Sequence, residues 1–149
     1  MKEFELSVKC YAIGERYDVG NPVYIHVELE NLTPAEIQIE ASTVPWVFHH
    51  AIKFTVSTDA SQTVKFQNRL WAIDPPTIDD ITILPGTLLS GNIDLARYLY
   101  TEDGKSINEV PGTYRIQARV SPAISTKGMG EDFKRLEISS EPFIVVIGK

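Results

Sequence analysis

The sequence predicts an all-β fold, an antiparallel β-sandwich of about eight short strands. Three observations carry that expectation. Apolar residues recur at every second position in segment after segment, the period of a strand with one face buried. Nine Gly and nine Pro are spread along the 149 residues, which implies many turns. No stretch holds apolar residues at helical spacing for longer than a single turn.

The elements follow in order. Phe4, Leu6, Val8 and Cys10 share one face of a first strand, so the Cys10 side chain faces the core as a buried, inert thiol. Gly14 and then Gly20-Asn21-Pro22 break the chain. Val23, Ile25, Val27 and Leu29 alternate with Tyr24, His26, Glu28 and Glu30 in the cleanest strand of the sequence. A turn over 31–36 contains Pro34, and Ile37, Ile39 and Ala41 resume the alternation. Residues 42–51 fit no period and read as a loop. Ile52, Phe54 and Val56, then Val64 and Phe66, return to period two.

Pro75-Pro76 excludes a central strand over 68–80. Two strands flank a Pro85-Gly86 turn, with Ile81 and Ile83 on one and Leu89, Gly91, Ile93 and Leu95 on the other. Residues 95–100 read as one helical turn after an Asp94 cap, and Tyr98, Leu99 and Tyr100 as cover for a sandwich edge. In EVPGTYRIQARV, Pro111-Gly112 feeds a half-buried strand with Tyr114, Ile116, Ala118 and Val120 inward and Arg115, Gln117 and Arg119 outward. Residues 121–135 read as a long connection. Leu136 and Ile138, a break at Ser139–Pro142, and Phe143, Val145 and Ile147 close the chain.

The bulk numbers bound the function. The length suits one domain over residues 1–149, and 43% hydrophobic residues can form a core without staples. A net charge of −6 with no basic run argues against nucleic acid and against an anionic membrane surface. No apolar stretch reaches the ~18–20 residues of a spanning helix. The compartment depends on the N-terminus. It is cytoplasmic if Met1 is the native start, and periplasmic or extracellular if Met1 replaces a removed signal. A single Cys excludes an intramolecular disulfide.

Tyr114 adds a second kind of signal. It stands two residues after Gly112 and two before Ile116, a spacing similar to the D-x-G-x-Y-x-C of antibody-type domains, where a Tyr hydroxyl ties back to upstream backbone. Val110 replaces the acidic residue and Ile116 the Cys. Together with 21–31, 83–87, 92–95, 111–116 and 136–147, this order resembles a broad group of bacterial and fungal immunoglobulin-like β-sandwich domains. The resemblance covers most of the chain. It implies an immunoglobulin-like fold and an accessory or binding habit, some such domains lying beside secreted peptidases. It brings no catalytic residues with it.

Tests for chemistry return little. There is no H-E-x-x-H and no G-x-S-x-G, and Gly128-Met129-Gly130 is too short to cradle a phosphate. No catalytic residue and no cofactor is implied. His26 lies on a polar strand face. His49 and His50 are adjacent, so both could serve one metal only across a bent backbone, and the preferred reading is an exposed loop without metal. Asp74, Asp79 and Asp80, or Glu102, Asp103 and Glu109, could offer carboxylates to calcium, though neither spacing fits a calcium loop. The sequon Asn31-Leu32-Thr33 reads as a chance match.

What remains is surface recognition. The expectation is a non-catalytic module that holds a protein partner through loops 42–51 and 121–135, with Trp46, Phe48, His49, Lys127, Met129 and Phe133 as contacts. Trp46 is read in competition as a plug for one end of the sandwich. A carbohydrate-binding module that stacks sugars on Trp46, Trp71 and Tyr98 is the alternative, and a metal-binding protein at His49 and His50 the next. A homo-oligomer is left open.

Overall fold

The structure is a computed structural model and describes residues 5–40, 43–46, 51–58, 65–68, 81–126 and 134–148. Its strands are β1 (Leu6–Ala12), β2 (Tyr17–Asp18), β3 (Tyr24–Asn31), β4 (Ile37–Ile39), β5 (Ile52–Thr58), β6 (Phe66–Asn68) and β7 (Ile81–Ile83). Then follow β8 (Leu88–Asp94), β9 (Leu99–Thr101), β10 (Gly112–Val120), β11 (Ala123–Thr126), β12 (Lys134–Arg135), β13 (Ile138–Ser139) and β14 (Phe143–Gly148). Two single turns of 3-10 helix, Leu95–Arg97 and Ile107–Glu109, are the only named helical elements among the described residues. No helix among the described residues is long and apolar enough to cross a membrane. The fold is all-β, as the alternation predicts.

β1, β3 and β8 form one antiparallel sheet with β3 in the centre. β10 is the centre of the second. β5 runs along one side of it over 114–120, and the other side is shared by β14 over 112–116 and β13 over 119–120. The short β2 lies parallel to the end of β14. A third sheet has the order β12-β11-β4-β7, and β6 pairs with β9.

The inward faces of the first two sheets meet in one core. Val8, Cys10, Ile25, Val27 and Leu29 of the first and Phe54, Tyr114, Ile116, Phe143 and Val145 of the second are all buried there. Each such side chain contributes about 1.5–3 kcal/mol relative to exposure, offset largely by the entropy of ordering the chain. Burial also pushes the Cys10 thiol up to about 12, against the opposing effect of its hydrogen bond with Ser140.

Several junctions hold by side chains that mimic strand pairing. Ser140 spans the break between β13 and β14: its N–H donates to the Ala118 carbonyl (2.8 Å) and its Oγ accepts from the Ala118 N–H (3.1 Å). Asp94 caps the turn after β8, its Oδ1 accepting from Val23 N–H (2.8 Å) and Ala96 N–H (3.0 Å). Tyr114 is fully buried and donates its hydroxyl to the Val110 carbonyl at 2.6 Å, the tie the Gly-x-Tyr spacing suggests.

The strands about the Pro85-Gly86 turn have different partners, β7 pairing with β4 and β8 with β3. Asn31 is fully buried, and its Nδ2 donates to the carbonyls of Ala35 (3.0 Å) and Ile83 (3.1 Å), tying the 32–36 and 84–87 turns together. Two details differ from the sequence reading. Residues 121–135 are not one connection. The chain leaves β10, turns at Pro122 and joins the third sheet as β11, which pairs with β4 and β12. Residues 43–46 of the expected loop are anchored rather than exposed, with Val44 fully buried and Thr43 Oγ1 accepting from Ala123 N–H at 3.0 Å.

Candidate functional site

Of the residues proposed as partner contacts, Trp46 is described, whereas Phe48, His49, Lys127, Met129 and Phe133 lie outside the described residues, as do His50, Trp71, Asp74, Asp79 and Asp80. Trp46 is half-buried against the core. Its indole lies on the backbone of Gly91 in β8, where a Cβ would come within 2.3 Å of Trp46 Cγ. Tyr98 is also held inward, edge-on to Phe54 with ring centroids 5.8 Å apart, and burial raises its hydroxyl above the usual range.

Two of the remaining carboxylates are engaged locally. Asp103 accepts a hydrogen bond from the Thr101 hydroxyl, which holds its carboxyl below the usual carboxylate range. Glu109 Oε2 accepts from Ser106 N–H at 2.7 Å. Among the described residues no group of three or more His, Cys, Asp or Glu comes together to hold a metal ion.

The feature that stands out is the outer face of the sheet centred on β10. Strand alternation sends Thr113, Arg115, Gln117 and Arg119 outward because their neighbours Tyr114, Ile116, Ala118 and Val120 are buried. The register places Ser57 and Ile144 on either side of Arg115, Thr55 beside Gln117, and Lys53 and Ser139 on either side of Arg119. A shallow depression of ≈ 550 Å³ opens on this face, lined by Thr55, Ser57, Thr113, Arg115, Gln117 and Ile144 together with Thr58 and Pro142. Gln117 closes one side, its Nε2 donating to the Ser140 carbonyl at 2.9 Å.

The electrostatics of this face run against the rest of the chain. The net charge is −6, yet Lys53, Arg115 and Arg119 lie in two adjoining rows and none makes an ion pair with a described residue. Lys53 and Arg119 are direct cross-strand neighbours, an arrangement that disfavours the fold by a few tenths of a kcal/mol. The opposite outer face, on β3, carries Glu28 and Glu30, and there His26 Nε2 pairs with Glu28 Oε2 at 3.5 Å. Arg115, hydroxyls and an amide around a shallow hollow, with Lys53 and Arg119 on the same face, can accept carboxylate groups from a partner by charge-assisted hydrogen bonds. The outward phase of Arg115, Gln117 and Arg119 is legible in the sequence. Their meeting with Lys53, Thr55 and Ser57 needs the β5–β10 register, which no local pattern encodes.

No family model and no curated protein matches the chain. Among solved structures it is similar to the β-glucosidase of Listeria innocua. In the glucose complex the TM-score is 0.37 at 13% identity, covering 95% of this chain. In the isofagomine complex the TM-score is again 0.37 at 13% identity, covering 93%. The chain spans 16% of that enzyme's length.

Proposed function

We propose that this chain is a single immunoglobulin-like β-sandwich module, non-catalytic, that binds an acidic protein partner. The immunoglobulin-like reading is supported by the order of pairing. β1, β3 and β8 occupy the places of strands A, B and E, and β5, β10 and β14 those of C, F and G, with the Tyr114 tie at the start of the F-like strand. The observation that carries the binding reading is the cationic β5–β10–β14 face, where a hollow lined by Arg115 lies on the same face as the Lys53–Arg119 pair. Lys53, Arg115 and Arg119 share this face without an ion pair to any described residue, and Lys53 stands directly opposite Arg119, a cost to the fold that a complementary acidic surface relieves on binding. Phe48, His49, Lys127, Met129 and Phe133 stay in the proposal as further contacts.

The test uses fluorescently labelled Glu-rich peptides and measures anisotropy against protein concentration. Binding weakens as salt rises, and Arg115→Glu with Arg119→Glu reduces affinity at least tenfold while the circular dichroism spectrum is unchanged. Equal binding by the doubly reversed variant, or none by the wild type at low ionic strength, would refute it.

A second reading rests on a different face. Tyr11 and Tyr24 are 45% and 50% exposed on the outside of the β1–β3–β8 sheet, with Tyr11 and His26 rings 5.2 Å apart and Asn92 Oδ1 2.8 Å from His26 Nδ1. Aromatic faces flanked by amide and carboxylate groups suit a saccharide. Retention on a glycan array that Tyr24→Ala abolishes supports this reading, and a blank array removes it.

A further inference from the structure

We propose that two copies of this chain associate edge to edge through β8, extending the β1–β3–β8 sheet into a continuous six-stranded sheet across a two-fold axis at Gly91. The argument begins with backbone accounting. Asn31 N–H donates to Thr87 O (3.0 Å) at one end of the β3–β8 ladder and Leu95 N–H to Val23 O (2.9 Å) at the other. In an antiparallel ladder the bonded pairs alternate, so the odd residues Leu89, Gly91 and Ile93 spend their N–H and C=O groups on β3. The groups of Leu88, Ser90 and Asn92 therefore point the other way, and no described strand meets them. All three residues are exposed.

Unpaired strand edges invite pairing with another chain, and proteins blunt them. The other edges among the described residues are blunted. β2, β7 and β12 are two or three residues long. The free side of β5 is closed by Asn68, whose side chain exchanges two 2.8 Å hydrogen bonds with the backbone of Phe54. β1 and β14 run close to one another. β8 has seven residues, LLSGNID, with no Lys, Arg, Pro or bulge to protect it.

The strand is also complementary to itself. Full overlap of β8 with a second β8 about Gly91 places Ser90 opposite Asn92 and Leu88 opposite Asp94 of the second copy. Leu88, Ser90 and Asn92 are the residues whose backbone groups no described strand meets, so the hydrogen-bonding phase is correct. Leu89 then faces Ile93 on the inner side, and no like charges oppose each other. The two Gly91 residues meet at the axis, each with its own Trp46 ring lying on it. The half-buried Leu89 and Trp46 supply apolar surface that pairing covers. This interface is separate from the cationic hollow and does not depend on it.

The test is sedimentation velocity over a wide concentration series, with amide hydrogen exchange read at Leu88, Ser90 and Asn92. The wild type associates to a dimer, and those three amides exchange more slowly as concentration rises. Ser90→Pro removes one free donor without touching the β3 ladder, and Ser90→Lys brings two like charges close to the axis. Each weakens association at least tenfold with the circular dichroism spectrum retained, and Ser90→Lys alone decides the matter if the proline variant does not fold. A monomer at every concentration, a dimer indifferent to the variants that fold, or exchange at the three amides that ignores concentration would each overturn the proposal.

Discussion

Gly91→Ala is the most discriminating change at the junction of core and edge. A Cβ built at Gly91 meets Trp46 Cγ at 2.3 Å, Cδ2 at 2.5 Å and Cδ1 at 2.7 Å. Ordinary carbon contacts need about 3.5–4 Å, so the indole must shift by roughly 1 Å or more, and a ring wedged against the core cannot do so freely. Overpacking of this kind costs about 1–3 kcal/mol. Replacing Gly by Ala within a strand returns about 0.5–1 kcal/mol by reducing the freedom of the unfolded chain. The expected net effect is a loss of about 0.5–2 kcal/mol. In a Trp46→Ala background the clash is gone and only the gain is left, so Gly91→Ala becomes stabilising. The reversal of sign is the signature, and the coupling between the two sites should reach about 1–3 kcal/mol.

Urea unfolding of the four proteins of this cycle, followed by far-ultraviolet circular dichroism, measures it. The midpoint should fall for Gly91→Ala alone and rise for Gly91→Ala in the Trp46→Ala chain, with the denaturant slope unchanged. A neutral or stabilising Gly91→Ala in the wild type, or simple additivity, means that the indole does not lie on Gly91. The reading of Trp46 as a packing residue would then fall with it.

Other expectations can be checked alongside. Tyr114→Phe keeps the buried ring and its edge-on contact with Phe66 but loses the bond to the Val110 carbonyl, so thermal unfolding should show a loss of about 1 kcal/mol, against about 3–5 kcal/mol for Tyr114→Ala. Asn31→Ala should cost about 2–4 kcal/mol in urea, because two carbonyls and the Thr33 N–H lose their buried partner. For the same reason a glycan on Asn31 is incompatible with the fold, and mass spectrometry of folded protein from a glycosylating host should find none. Cys10 should resist thiol reagents at pH 8 until denaturant is added, since burial keeps it protonated. Its folded-state pKa is raised, so its contribution is intact below the unfolded value near 9 and declines by about 1.4 kcal/mol per pH unit as pH rises toward about 12. The alkaline slope of stability should therefore be shallower in Cys10→Ala.

How much of this was legible follows from what alternation can encode. Period two fixes which side of a strand is buried, and it places Ile25, Val27, Leu29, Tyr114, Ile116 and Val145 in the core correctly. Asp94 as a cap and the break at Ser139–Pro142 were also legible, because capping and proline chemistry are local. Pairing is not local. The Pro85-Gly86 turn is local, yet its two strands pair with different partners, and the end of one is bonded to Asn31, more than fifty positions away in sequence. Residues 121–135 have the polar, glycine-containing look of a loop. The strand within them shows only when β4 is there to pair with it, since AIST has too few apolar positions to declare a buried face.

The two surfaces proposed for binding both lie outside the reach of that pattern, and for the same reason. Alternation is a statement about apolar residues, and it treats every outward position alike. Arg115 and Arg119 look like ordinary solvated charges until the register sets Lys53 beside them. Ser90 and Asn92 look like ordinary outward polar residues until the topology sets no described strand against their backbone. In each case the informative quantity is a cost to the isolated fold: like charges adjacent on one face, and unpaired strand groups along the other sheet. Such costs persist where binding relieves them, which is why a charge-matched partner and a second β8 are the occupants argued for, and why each test removes the cost directly rather than the core beneath it.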